Sequence, residues 1–134
     1  MQRVMEYISG TLDSLQCRPK RRSMTSLDFV IKAKRAICRI EPDSLKVTFI
    51  VPDLYMVNGN ECESLIRKVN SCHHVSRLMN LDGTAVSAIA TFIADDYESL
   101  FGNVCRVVED IEGLVEDFED GFSKITKRPW EYQF

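Results

Sequence analysis

The sequence predicts an α+β fold: a five-stranded antiparallel sheet with helices packed on it, in the order α-β-β-β-α-β-β-α. Three observations carry this expectation. Apolar residues recur at helical spacing near both ends of the chain. Apolar and polar residues alternate through 27–57 and again through 75–94. Asp82-Gly83 sits between two alternating segments, a strong hairpin signal because both residues tolerate positive φ.

The first element is an amphipathic helix over 2–15, with Val4, Met5, Ile8, Leu12 and Leu15 on one face. Gly10 weakens it by about 1 kcal/mol relative to alanine. Pro19 prevents its continuation, and "CRPKRRS" (17–23) reads as a basic connector. Three strands follow. "LDFVIKA" is the first. "RAICRIE" puts Ala36, Cys38 and Ile40 on one face and Ile37 and Arg39 on the other. After an "EPDS" turn, "LKVTFIVPDLYMV" alternates Val47, Phe49 and Val51 against Thr48 and Ile50. Pro52 cannot donate to a ladder, so pairing breaks there or the strand lies on an edge.

Asn60 and Glu63 fit a capping box for a second helix, which carries Cys62, Leu65, Ile66 and Val69 on one face and closes between Asn70 and His74. "VSRLMNL" and "TAVSAIATFIA" form the hairpin around Asp82-Gly83. The second of these strands is apolar on both faces, which suits a central strand or a sheet covered on its second side. Asp95 with Glu98 is another capping-box pair. The helix behind it buries Leu100, Val104, Val107, Val108, Ile111, Leu114, Val115, Phe118, Phe122 and Ile125, and presents Glu109, Asp110, Glu112, Glu116, Asp117, Glu119 and Asp120 as a solvated face. Pro129 is expected to stop it, leaving "WEYQF" as a tail.

A chain of 134 residues with 45% hydrophobic and 28% charged content suits one soluble domain, 1–134. No long apolar span predicts a membrane crossing, and the polar N-terminus lacks the apolar stretch of a signal peptide. Cysteines at 17, 38, 62, 72 and 105 are odd in number and form no CxxC pair. They read as reduced thiols in a cytoplasmic protein. The net charge of −3 conceals polarity: residues 1–40 hold nine Lys/Arg against three Asp/Glu, and 95–134 hold four against eleven. Such ends either pair within the fold or mark a partner surface.

The chain resembles the YbjN-type family, described as sensory transduction regulators of bacteria, whose fold is similar to type III secretion chaperones. The likeness rests on "VMEYISGTL", on strands ending in "VTFIVPDLY", on "LIRKVNS" with its Val69-Asn70, and on the hairpin and long helix that follow. It implies a protein-binding adaptor or regulator, chaperone-like and often self-associating, without catalysis or a cofactor.

Cys72, His73 and His74 are the first candidates for chemistry. Adjacent residues diverge on a helix and oppose each other on a strand, so the two histidines are poorly placed to share an ion, and no zinc spacing surrounds them. Cys72 would need an oriented base to act as a nucleophile. Placement at a helix C-terminus, favourable for a cation, is the simpler reading. Asp95-Asp96 precede a long helix, where capping explains them better than acid–base work. No triad signature or phosphate-cradling loop occurs. The expectation is therefore no catalytic residue, no metal and no cofactor.

Two segments stand out for partner contact: the basic Arg18, Lys20, Arg21 and Arg22, and the aromatic Trp130, Tyr132 and Phe134, whose alternate spacing would line one side of an extended tail. The leading expectation is a non-enzymatic protein-interaction module, a homodimer being one form. The alternative is a regulator binding nucleic acid or a small ligand through the basic 18–35 segment. Against nucleic acid stand the acidic whole and the lack of aromatic residues interleaved with 18–22.

Overall fold

A computed structural model describes residues 2–56, 61–80 and 85–131, with 56, 61 and 125–131 described by backbone only. The elements are α1 (Gln2–Ser14), β1 (Lys20–Arg21), β2 (Ser26–Ile31), β3 (Lys34–Ile40), β4 (Lys46–Met56), α2 (Glu61–Ser71), β5 (Ser76–Asn80), β6 (Ala85–Ile93) and α3 (Tyr97–Glu131). The architecture is α+β, with three helices and one antiparallel sheet. The sheet has six strands rather than five, in the order β1-β2-β3-β4-β6-β5. The added strand comes from the basic connector, where Lys20 pairs with Asp28 and Arg21 with Leu27. Two exposed polar residues carry no apolar alternation, so only backbone pairing reveals them.

Helix α1 ends earlier than Pro19 demands. Gln16 takes a positive φ of 61°. Its N–H donates to Asp13, and that of Cys17 donates to Leu12 at 2.9 Å. This is a Schellman closure built without glycine, with Cys17 buried against Leu12. Leu15 falls beyond the helix and is exposed, not part of the buried stripe. The β2–β3 hairpin turns on Lys32 and Ala33, both at positive φ (49° and 63°). That is the primed geometry matching strand twist.

Pro52 lies inside the sheet, where pairing does break. Val51 faces Ala88 and Tyr55 faces Val86, so β4 spends four residues where β6 spends two. Asp53, at φ 52°, donates its N–H to Ser87 Oγ inside this bulge. Asn60 and Asp82-Gly83 lie outside the described residues.

Helix α3 is capped one residue later than expected. Asp96, not Asp95, accepts the Glu98 N–H at 3.0 Å. Nor does Pro129 stop it, since the helix runs to Glu131.

The core lies between the helices and one face of the sheet. Val4, Met5, Ile8 and Leu12 of α1 meet Leu100 through Phe118 of α3 over Leu27, Phe29, Cys38, Phe49, Val86 and Ala88. Phe29 and Phe92 each pack against Phe49, edge-on and stacked respectively. The charged ends meet in part: Lys32 pairs with Glu116 at 3.0 Å and Lys34 with Glu119 at 3.1 Å. These pairs correct the reading of that acidic helix face as merely solvated.

Candidate functional site

Two features depart from what folding alone requires: a polar clasp where α2 meets α3, and the sheet face opposite the helices.

The clasp centres on His73, just past the end of α2. Its Nδ1 lies 3.2 Å from Asp110 Oδ1 and its Nε2 2.8 Å from Asp117 Oδ2. The two carboxylates are seven residues apart, hence on one face of α3. Gly113 lies between them, and a β-carbon there would sit 3.3 Å from the ring's Cε1. Asp110 Oδ2 accepts both the N–H and the hydroxyl of Ser76, which is fully buried. Burial pushes the His73 pKa down, but hydrogen bonds to Asp117 and Asp110 outweigh it and leave it raised. Burial pushes Asp110 up, and its bonds from Ser76 and His73 reverse that, holding the carboxyl below its usual value. An imidazole facing two carboxylates favours its cationic form.

The order Ser76–Asp110–His73–Asp117 places the carboxylate, not the imidazole, beside the hydroxyl. The group that accepts from Ser76 Oγ is therefore the Asp110 carboxylate, whose lowered pKa makes it a weak base, rather than an imidazole. The arrangement ties the end of α2 and the start of β5 to α3. The sequence placed His73 at a helix end, but Asp110, Gly113 and Asp117 were the missed signal. Their three- and four-residue spacing marks a groove with acidic walls and a glycine floor.

His74 and Cys72 are exposed, and the Cys72 thiol lies 3.9 Å from the Ser71 hydroxyl. Among the described residues, no group of three or more His, Cys, Asp or Glu is placed to hold a metal ion. Beside the clasp, Leu65, Val69, Cys72, Gly121 and Lys124 border an open cleft of about 300 Å³.

The predicted basic contacts do not converge. Arg21 folds onto its own turn, donating to the Ser23 and Met24 carbonyls. Arg22 lies 3.5 Å from Asp28. Arg18 is exposed at φ 50°, and Lys20 is exposed beside Asp28 at the sheet edge. Trp130 falls within α3, so an extended tail does not begin there. Tyr132 and Phe134 lie outside the described residues.

The second feature is the sheet's other face. Most of the alternate strand residues that meet the helices are buried, with Tyr55 and Phe92 partly so. Their neighbours point away, and three isoleucines among them stand in register: Ile37 faces Ile50, and Ile50 faces Ile89. Ile37 is 8% exposed yet lies outside the helix-side core. Ile50 and Ile89 are half-buried, while Ile93, Val30 and Met79 are exposed. Arg39, Pro42, Thr48 and Ile50 line a shallow hollow of about 360 Å³ at one end of this face. The sequence showed β6 apolar on both sides, but not that all three helices would choose the same side.

Comparisons of the chain with protein-family models, with curated proteins and with solved structures returned no match. Among the described residues, no helix is long and apolar enough to cross a membrane.

Proposed function

We propose that this chain is a non-enzymatic protein-interaction module, a chaperone-like adaptor or regulator of the YbjN type, acting through the uncovered face of its sheet. The observation that carries this reading is the in-register row Ile37–Ile50–Ile89 on the face opposite the helices. Aliphatic residues in a contiguous row on a sheet gain by being covered. The element order supports the family reading, with the two-residue β1 as an addition to it.

The basic-segment alternative loses support because Arg21 donates to its own turn and Arg22 stands 3.5 Å from Asp28. An enzymatic reading gains little from the clasp, which commits Ser76 to Asp110 and both His73 nitrogens to carboxylates.

A photo-crosslinking residue placed at Thr48 or Thr91, which face each other on the uncovered side, tests the proposal in the cell that makes the protein. Glu109, exposed on α3, serves as control. Polypeptide adducts from the two sheet positions, and not from 109, are expected. Adducts from 109 alone, or none from the sheet, would overturn the reading.

A further inference from the structure

The uncovered sheet face is basic, although the chain is acidic. Lys20, Arg35, Arg39, Lys46 and Arg77 occupy strand positions on that side, and all are exposed. Arg77 directly faces Ile89, and Arg35 and Arg39 flank Ile37 along β3. None of these five has an ion-pair partner among the described residues. Of the acids in the strands, Asp28 on this face already has Arg22 at 3.5 Å, and Asp53, exposed in the β4 bulge, lies beside Ser87 at one end of it. At the rim, Glu41 accepts from the Ser44 hydroxyl. Positive charge thus frames an aliphatic centre.

We propose that this face docks an acidic amphipathic segment of a separate protein, its apolar side chains on the isoleucine row and its carboxylates on the surrounding arginines and lysines. The inference rests on the protein-interaction reading and names the chemistry of the partner. Charge complementarity selects the occupant. Two copies meeting by this face would set five cations against the same five, which is repulsive in a self-complementary contact. A copy offering its acidic α3 instead would make a head-to-tail contact that does not close by itself. Single-stranded nucleic acid binds basic grooves through aromatic stacking. The sheet aromatics Phe29 and Phe49 are buried on the helix side, so neither serves this face as a stacking platform for bases.

The test titrates the full chain with a synthetic helix carrying leucines at helical spacing and glutamates elsewhere. The same peptide with lysine for glutamate, a DNA oligonucleotide and buffer alone serve as comparisons, read by fluorescence anisotropy and sedimentation. The glutamate peptide is expected to bind, to weaken with salt, and to weaken by about tenfold or more in Arg39→Glu/Arg77→Glu. Both positions are exposed, and circular dichroism with the unchanged thermal midpoint confirms the variant's fold. Equal binding of the lysine peptide, tighter binding of DNA, no binding of the glutamate peptide, or binding indifferent to the charge reversal would each overturn the proposal. So would salt-sensitive self-association abolished by that reversal, which would make a second copy the occupant. Crosslinks from Thr48 or Thr91 to a polypeptide without an acidic segment would sink this inference while leaving the interaction module standing. Loss of both results would remove both.

Discussion

The side-chain amide of Asn70 pairs with the backbone of Leu78 as a neighbouring strand would. Its Oδ1 accepts the Leu78 N–H at 2.7 Å and its Nδ2 donates to the Leu78 carbonyl at 3.1 Å. Strand β5 is one edge of the sheet, and edges with open backbone groups invite unwanted pairing. One side chain from the end of α2 therefore closes part of the edge and fixes the helix to it. Asn70→Ala should cost about 1–3 kcal/mol, since two neutral hydrogen bonds are lost and part-buried groups are left open. Asn70→Asp should be worse than a conservative change suggests, because a carboxylate would face the Leu78 carbonyl. Urea denaturation measures both, and a loss within ~0.3 kcal/mol of zero would show that water replaces the amide without penalty.

The helices meet through glycine. A β-carbon on Gly121 would lie 2.3 Å from Leu65 Cδ1, whereas one on Gly10 or Gly102 would meet nothing within 4 Å. Gly10→Ala and Gly102→Ala should each stabilise the fold by about 0.5–1 kcal/mol through helix propensity. Gly121→Ala has the same propensity gain but forces Leu65 aside. It should be neutral or destabilising, with a difference of about 1 kcal/mol or more from Gly102→Ala. Thermal midpoints of the three variants check the contrast, and equal gains at all three positions would count against close α2–α3 contact.

The parts legible in the sequence were those written in periodicity. The stripe from Leu100 to Phe118 and the alternation through Val47, Phe49 and Val51 led directly to α3 and β4. The missing pieces carried no such signal. Strand β1 is two polar residues, and the turn at Lys32-Ala33 holds positive φ without glycine or asparagine, so neither announces itself. The clasp was hidden for another reason: His73 and Asp117 are brought together by packing, 44 positions apart. The open sheet face was half visible. Isoleucines on the second side of β3, β4 and β6 could be read, but their register could not.

Thiol reactivity should sort by depth. Cys38 is completely buried, and burial pushes its pKa up to about 12, while burial and Glu112 also push Cys17 up. Cys72 is exposed at the end of α2. The thiolate is the reacting form. A brief maleimide pulse on native protein should therefore label Cys72 first and leave Cys38 unmodified until denaturant is added. Peptide mass spectrometry reads the order, and native labelling of Cys38 ahead of Cys72 would contradict this packing of β3.

The clasp gives stability a defined pH dependence. For His73 the folded pKa is raised above an ordinary value of 6.5, so its contribution is fully present below 6.5 and disappears as pH rises through the folded value. For Asp110 the folded pKa is lowered from 3.8, so its contribution is present above 3.8 and is lost as pH falls through the folded value. Between those limits both act together. The groups facing the imidazole are Asp110 and Asp117 from α3, with Ser76 of β5 behind Asp110; Lys68 and Lys124 stand at the margin of the adjoining cleft. His73→Gln should cost on the order of 1 kcal/mol at about pH 5.5, kept modest because Asp117 is half-exposed, and less at about pH 8.5. Urea midpoints of wild type and variant at the two pH values give the difference directly. The His73 ring resonance should titrate above 6.5 and move down in Asp117→Asn. Parallel pH profiles for wild type and His73→Gln would show that the imidazole is not charged between its two carboxylates, and the clasp would then be a neutral contact only.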